Sequence, residues 1–144
     1  MAAEILIYIG GVYQLLWAFT HFYFPKLLDW ENALAPLDDF NRILMLIFSK
    51  LLLVFYLVTA LICFIFAGEL PDTDIGLAVL IFLSVYWLVR ALLQVQYFGF
   101  RKANTLNVQL SSSDVSNQTI SYILFVIFLI GFGLFLAPVI IASI

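Results

Sequence analysis

Hydrophobic residues are concentrated in four long runs, and short segments rich in charged and turn-forming residues separate them. A helix of about 20 apolar residues crosses a hydrocarbon core. None of the runs alternates between apolar and polar positions as a membrane β-strand would, and a helix satisfies its own backbone hydrogen bonds inside lipid. The pattern therefore predicts one membrane domain over residues 1–144, with transmembrane helices at about residues 5–24, 43–67, 75–100 and 119–144.

Local markers indicate where these helices begin and end. Pro25 is expected to end the first helix, because a proline has no N–H to donate to the preceding turn. A side-chain oxygen at a helix start accepts a hydrogen bond from a free backbone N–H. On this basis Asp38 or Asp39 can cap the second helix, and Ser116 or Asn117 can cap the fourth.

The segment between the first two runs has a pattern of its own. Leucine and tryptophan recur at spacings of 3, 4 and 3 residues with polar residues between them, at Leu27, Trp30, Leu34 and Leu37. This spacing is typical of an amphipathic helix lying in the membrane interface. The predicted fold class is therefore an all-α integral membrane four-helix bundle with a short interfacial helix in the first loop.

Composition supports a membrane protein and excludes several other classes. Apolar residues make up 65% of the chain and charged residues 10%, against about 25% charged residues in an ordinary soluble domain. The net charge of −3 leaves no basic surface that could neutralise a run of phosphates, so nucleic acid is not an expected partner. With one cysteine and one histidine, neither an intrachain disulfide nor a structural zinc site is expected.

The basic residues predict an orientation. Cytoplasmic loops of membrane proteins are enriched in lysine and arginine. Here Lys26 and Arg42 follow the first helix, and Arg101 and Lys102 follow the third, whereas the opposite side carries neither residue type. Both termini are therefore expected outside the cytoplasm.

Polar residues at helical spacing lie inside the predicted spans. Residues three or four apart share one face of a helix, and such a polar face should contact protein or water. The residues concerned are Tyr86, Arg90, Gln94 and Tyr97 in the third helix, and Gln14 and His21 in the first.

Depth distinguishes the two cations that lie within spans. Arg90 is predicted close to the middle of the bilayer, where an arginine costs about 2.5 to 3.5 kcal/mol on translocon scales, so it should have a partner. Lys50 lies nearer a helix end, and its long stem can carry the ammonium toward the headgroups. No Asp or Glu falls within the predicted spans.

Two arrangements would compensate Arg90. In the first, it pairs with an acidic residue of the first loop, namely Asp29, Glu31, Asp38 or Asp39. In the second, a lipid phosphate, a carboxylate or a quinone head binds in a pocket. The predicted ligand-binding residues are Arg90, Lys50, His21, Gln94, Tyr97, Gln14 and Tyr86.

The sequence gives no support for an enzyme. Cys63 and Ser49 have no histidine or acid at a matching depth that could activate them as nucleophiles. A single histidine cannot supply a bis-His haem. No metal and no cofactor is expected, apart from a bound lipid or quinone.

Part of the chain resembles a known group of proteins. Residues 18–45 carry His21-Phe-Tyr-Phe-Pro25, then Leu28-Asp29-Trp30, Leu34, Leu37 and Asn41-Arg42. This run resembles the first loop of bacterial four-helix membrane proteins, and the general layout looks like that of small DoxX-like proteins. The resemblance implies a four-span helical bundle in a bacterial inner membrane, and it implies no particular reaction.

Together these features favour an accessory or scaffolding subunit of a larger membrane complex. Its expected partners are membrane lipids and either other membrane subunits or further copies of itself. The alternative is a binding protein or small transporter for an anionic lipid, a carboxylate or a quinone-like ligand held at the intramembrane polar residues.

Overall fold

A computed structural model describes residues 1–98 and 117–144 of the chain. These residues form five helices and no strand: α1 (Ala2–Leu27), α2 (Trp30–Ala33), α3 (Asp39–Ile65), α4 (Asp74–Phe98) and α5 (Asn117–Ala142). All except α2 are long and apolar enough to cross a membrane. The prediction of an all-α membrane fold with four transmembrane helices is therefore confirmed.

The first helix extends past the proline that was expected to end it. Pro25 lies inside the last turn of α1, which ends at Leu27, and the Leu28 N–H still donates to the Phe24 carbonyl at 2.9 Å. The predicted end at residue 24 is three residues too early, because a proline in the last turn removes only one backbone hydrogen bond, while its fixed φ is compatible with a helix.

The predicted helix in the first loop is present but short. The helix α2 has four residues, none of them buried. Asp29, directly before it, adopts a left-handed conformation with φ of 46°, and this residue interrupts the helical backbone between α1 and α2. The Asp29 carboxylate accepts a hydrogen bond from the Asn32 side-chain amide at 2.8 Å, and this bond connects the residue to α2.

The start of α3 is capped as the sequence predicts. Asp38 precedes the helix, and its carboxylate accepts hydrogen bonds from the main-chain N–H of Asn41 at 3.0 Å and from the Asn41 side-chain amide. These bonds favour the charged form and lower the pKa of Asp38. Asp39, the first helical residue, forms an exposed ion pair with Arg42 one turn later. The cap expected from Ser116 or Asn117 on the last helix lies outside the described side chains.

Turns connect α3 to α4 and fold back on the start of α4. The Thr73 hydroxyl accepts a hydrogen bond from the Gly76 N–H at 3.1 Å, so Thr73 caps α4. Gly76 is buried, and a Cβ atom at this position would lie 2.2 Å from the Leu70 carbonyl oxygen. Only a glycine permits this approach of the turn to the helix.

The backbone divides into two compact units. The first, called the α4 unit, comprises residues 1–9 with the described part of 66–144. The second, called the α3 unit, comprises residues 10–65. The predicted site residues are therefore distributed between these two units.

Candidate functional site

In the α4 unit, α4 and α5 pack along their length through a defined register. As the residue number rises along α4 it falls along α5, so the two helices are antiparallel. The pairs that establish this are Ser84 with the Phe132 carbonyl (3.3 Å), Trp87 stacked on Phe128 (5.8 Å between ring centroids), and Gln94 with Ser121 (3.3 Å).

Gln94 joins the two helices through its side chain. The Gln94 side-chain amide donates to the Ser121 hydroxyl, and both residues are buried. A polar group inside lipid is costly unless it is hydrogen-bonded, and a bond between helices meets that need. The observed role of this predicted ligand-binding residue is thus to connect α4 with α5.

Arg90 places its positive charge near the middle of α4. The central carbon of its guanidinium lies 4.8 Å from the centroid of the Phe128 ring, and Phe128 also stacks on Trp87, about one turn before Arg90. The side chain therefore points back toward the start of α4, as the tilt of every helical Cα–Cβ bond favours. At the level of Trp87 the charge lies roughly 17 to 20 Å from the two ends of the helix.

Among the described residues, the charge of Arg90 is only partly compensated. Across residues 1–98 and 117–144, the one ion pair is that between Arg42 and Asp39. The cation–π contact with Phe128 contributes about 0.5 to 2 kcal/mol, against a cost of about 2.5 to 3.5 kcal/mol for an arginine at the centre of a spanning helix. Arg90 is also partly exposed, so part of its side chain lies at the surface of this chain.

The other two predicted residues on α4 lie beside its buried face. That face is formed by Gly76, Leu80, Leu83, Ser84, Trp87, Ala91 and Gln94. Tyr86 is partly exposed and contacts Trp87 edge-to-face, with 5.3 Å between ring centroids. Tyr97 is 65% exposed. Of the four-residue stripe predicted on this helix, Gln94 alone is buried, and the other three side chains form its exposed edge.

In the α3 unit, His21 is buried at the contact between α1 and α3. Its Nδ1 atom lies 3.0 Å from the Trp17 carbonyl oxygen, and because a carbonyl only accepts, Nδ1 must carry the proton of this bond. The imidazole ring lies 4.8 Å from the ring of Phe24 and 4.9 Å from that of Tyr56, between centroids. These contacts hold the histidine in one orientation and one tautomer.

Gln14, two turns before His21 on the same helix, is in a different situation. Its side chain is fully buried, and neither its amide nitrogen nor its amide oxygen has a hydrogen-bond partner among the described residues. Burying an amide without a partner costs about 1 to 3 kcal/mol in proteins. Among the predicted site residues, Gln14 alone has a buried side-chain amide whose two polar atoms have no hydrogen-bond partner in the described part of the chain.

Lys50 is separated from the buried face of α3. Its side chain is exposed, and six residues along a helix place it about 120° around the axis from Tyr56, which contacts His21. The Cα–Cβ bond of Lys50 tilts toward the start of α3, the nearer end, so the ammonium can extend toward the interface. Within this unit the structure does not bring Lys50 and His21 together.

The part of the chain that the structure describes contains no group of three His, Cys, Asp or Glu side chains that could hold a metal ion. Cys63 is buried, and its Cβ atom would lie 3.1 Å from a Cβ placed on Gly11. This thiol therefore fills the contact between α1 and α3.

Sequence reasoning did not identify the aromatic partner of Arg90. Phe128 lies in an almost uniformly apolar helix, and nothing in its sequence context separates it from neighbouring phenylalanines. Ser84 and Ser121 did carry a signal, since hydroxyl residues within apolar spans often form bonds between helices. Only the register of α4 against α5 selects which residues meet.

Comparisons with known proteins add no relative. The chain matches no protein-family model, and neither the search of the curated proteins nor the search of the solved structures finds a match. The resemblance of residues 18–45 to DoxX-like proteins stays a prediction.

Proposed function

We propose that this protein is an accessory subunit that packs against another protein within the membrane. The observation that carries this proposal is Arg90, a partly exposed cation at the middle of a helix able to span a membrane, with no carboxylate partner among the described residues. A charge in this position is compensated when another membrane chain covers it. A subunit interface at Arg90 would remove the charge from lipid.

The distribution of the other polar groups supports an interface at this place. On the buried side of α4, Ser84 and Gln94 already have partners on α5. Arg90 lies at the edge of that side and is fixed by Phe128. Ser84 and Gln94 are thus bonded to α5, whereas Arg90, beside them on α4, has no ion pair among the described residues.

The test is gentle extraction from the native membrane followed by native mass spectrometry. We expect the wild-type protein to retain a foreign membrane chain in fixed stoichiometry, Arg90→Leu to lose it, and the charge-conserving Arg90→Lys to keep most of it. Lys50→Leu removes the other cation within the predicted spans and is the matched control. A monomer without partner chains in the native extract would contradict the proposal.

A second candidate function, ligand binding, is favoured by Gln14. Its buried amide has both a donor and an acceptor unused among the described residues, and a small polar guest such as a quinone-like or lipid carbonyl would use the donor. In this alternative the protein binds a lipid-soluble carbonyl compound inside the membrane. The compound would compensate the cost of the buried amide.

Gln14→Leu tests this alternative, with Gln96→Leu as the control because Gln96 is an exposed glutamine. If a ligand occupies the Gln14 site, Gln14→Leu should release a small molecule that Gln96→Leu retains, as measured by mass spectrometry of organic extracts. If no molecule is released and Gln14→Leu unfolds at higher temperature, the amide is an unsatisfied group and the alternative is wrong.

We also propose that both termini face away from the cytoplasm of a bacterial inner membrane. Lys26 and Arg42 flank the loop that contains α2, whereas the turns between α3 and α4 contain acidic residues and no basic ones. The positive-inside rule then places α2 on the cytoplasmic side.

Cysteine labelling tests this orientation. The buried Cys63 gives little background, and Asp72 and Ala35 are both exposed, one in each loop. In intact spheroplasts, an impermeant maleimide should label Asp72→Cys, and it should label Ala35→Cys only after lysis. The reverse pattern would invert the topology.

A further inference from the structure

We propose that the surface around Arg90 binds a transmembrane helix of a different protein, and that this helix carries an Asp or Glu at mid-depth. The proposal rests on the proposed function as a subunit and specifies the chemistry of the partner. The Arg90 surface is defined as the side chains of Tyr86, Arg90, Leu93 and Tyr97 on α4.

The Arg90 surface is continuous and accessible. Spacings of 4, 3 and 4 residues place its four side chains within about 60° of arc on α4. Leu93 is 37% exposed and Tyr97 is 65% exposed, while Tyr86 and Arg90 are partly exposed. A helix can therefore lie along this strip in contact with Arg90.

The geometry of the guanidinium favours a carboxylate. Its central carbon lies over the Phe128 ring, so one face of the planar group is covered. A cation–π contact leaves the N–H bonds along the edge of the group unused, and within the described residues Arg90 has no ion pair. A carboxylate can accept two parallel hydrogen bonds from that edge.

A second copy of this chain cannot supply the carboxylate at that depth. The acidic residues of the four long helices are Glu4, Asp39 and Asp74, and each lies in a first turn. Residues 5–27, 40–65, 75–98 and 117–144 contain no Asp or Glu. A carboxylate at the level of the Arg90 charge must therefore come from another protein.

A lipid phosphate fits less well because of its depth. Headgroups lie about 15 Å from the middle of a bilayer. The Arg90 side chain points toward the start of α4 and rests on Phe128, which holds the guanidinium near mid-helix. A phosphate would have to leave the interface to reach it, whereas a carboxylate on a spanning helix is already at this level.

Synthetic peptides test this chemistry with the full-length protein reconstituted in phosphatidylcholine vesicles. The probes are polyleucine helices with Asp, Asn or Leu at their centre, and a fourth with Asp in the first turn. We expect the central-Asp peptide to bind the protein about tenfold more tightly than the central-Leu peptide does. Binding is measured by energy transfer between labelled peptide and labelled protein at pH 8. The central-Asn and terminal-Asp peptides should bind only slightly more tightly than the central-Leu peptide.

Variants of the protein separate charge from folding. Arg90→Leu should abolish the preference for central Asp, Arg90→Lys should keep part of it, and Lys50→Leu should leave it unchanged. Circular dichroism checks that each variant keeps its helix content. Equal binding of the central-Asp and central-Leu peptides, or equal loss in Lys50→Leu and Arg90→Leu, would overturn the proposal.

Crosslinking in native membranes distinguishes this inference from the proposed function. With a photoreactive residue at Leu93, the crosslinked peptide of a foreign chain should contain a mid-span Asp or Glu. A foreign spanning helix without either residue would overturn the inference while the subunit function stands. If no foreign chain is captured or retained, the subunit function and the inference that rests on it both fail, whatever affinity the peptides show.

Discussion

The α4–α5 pair and the α1–α3 pair hold their buried polar side chains in different ways. Between α4 and α5 the polar groups bond across the contact, from Gln94 to Ser121 and from Ser84 to the main chain of Phe132. These bonds connect the two helices directly and define how far one can slide along the other.

In the α3 unit, the buried side chains of His21 and Thr59 bond back to their own helices. The His21 ring donates to the Trp17 carbonyl, and the Thr59 hydroxyl donates to the Phe55 carbonyl at 2.8 Å. The helices α1 and α3 meet through the tilted rings of Trp17 and Tyr56 and through the close approach at Gly11. At these positions the two helices are joined by packing of rings and small residues.

The contrast shows that a polar residue in a membrane span has no fixed role. A glutamine in α4 connects two helices, whereas the glutamine in α1 is buried with no partner among the described residues. The residue type is the same, and the difference lies in what the neighbouring helix presents. Substitutions of the closely packed glycines and of the bonded polar residues can test whether the two helix pairs are stabilised in these different ways.

The largest expected effect is that of Gly76→Ala in the α4 unit. The added Cβ would lie 2.2 Å from the Leu70 carbonyl oxygen, and a main-chain atom cannot move without displacing the turn. We expect a loss of about 3 kcal/mol or more in the free energy of unfolding, measured by unfolding in mixed micelles. Gly68→Ala is the control, since nothing lies within 4 Å of its Cβ position, and equal stability of the two variants would refute the prediction.

Gly11→Ala should have a smaller effect, because the neighbouring atoms are side chains. A Cβ at Gly11 would lie 3.0 Å from the ring of Phe64 and 3.1 Å from the Cβ of Cys63, and the ring can shift by a few tenths of an ångström. We expect a loss of about 1 kcal/mol in the same assay.

The matched control for Gly11→Ala is Gly133→Ala, which also lies in a long helix but has open space at its Cβ. It should be neutral or slightly stabilising, since alanine favours helix formation more than glycine does. If Gly11→Ala behaved in the same way, packing at Gly11 would not be what joins α1 to α3.

The hydrogen bond between α4 and α5 should appear as an energetic coupling. In a double-mutant cycle of Gln94→Leu and Ser121→Ala, we expect a coupling of about 0.6 kcal/mol in the free energy of unfolding. Thr59→Val, which removes a hydroxyl bonded within its own helix, should change stability little. If the two substitutions changed the free energy of unfolding in a strictly additive way, the bond between Gln94 and Ser121 would not couple α4 to α5. The contrast between the two helix pairs would then be wrong.

The smallest expected effect concerns the exposed cap of α3. Hydrogen bonds from Asn41 lower the pKa of Asp38 in the folded protein, so the stabilisation by this carboxylate is present above its ordinary pKa of 3.8 and is lost as pH falls through the lowered value. Wild type should therefore lose a small part of its stability below pH 4 relative to Asp38→Ala. Identical thermal unfolding profiles of the two proteins between pH 3 and pH 6 would contradict this role.

Much of the fold could be predicted from the pattern of residues along the sequence. The four long helices and a cap at Asp38 or Asp39 were predicted because helix length and capping depend on residues close in sequence. The helix expected in the first loop is reduced to the four residues of α2, because Leu27 belongs to α1 and Asp29 breaks the helical backbone. The burial of Gln14 and His21 on one face of α1 was also predicted from their spacing, but the spacing did not identify Tyr56 of α3 as the neighbour of His21. The end of α1 was misplaced because the cost of a proline depends on which turn contains it.

The sequence by itself determined that this chain forms four helices able to span a membrane and that Arg90 lies near the middle of one of them, because hydrophobic length and helical rise fix the position of a residue along its helix. The tertiary structure alone decided which side chains meet. It placed Gln94 on Ser121 and Arg90 on Phe128, and it left Gln14 buried without a hydrogen bond among the described residues. Contacts between helices depend on their register and rotation, and an apolar helix such as α5 carries almost no pattern that would specify either.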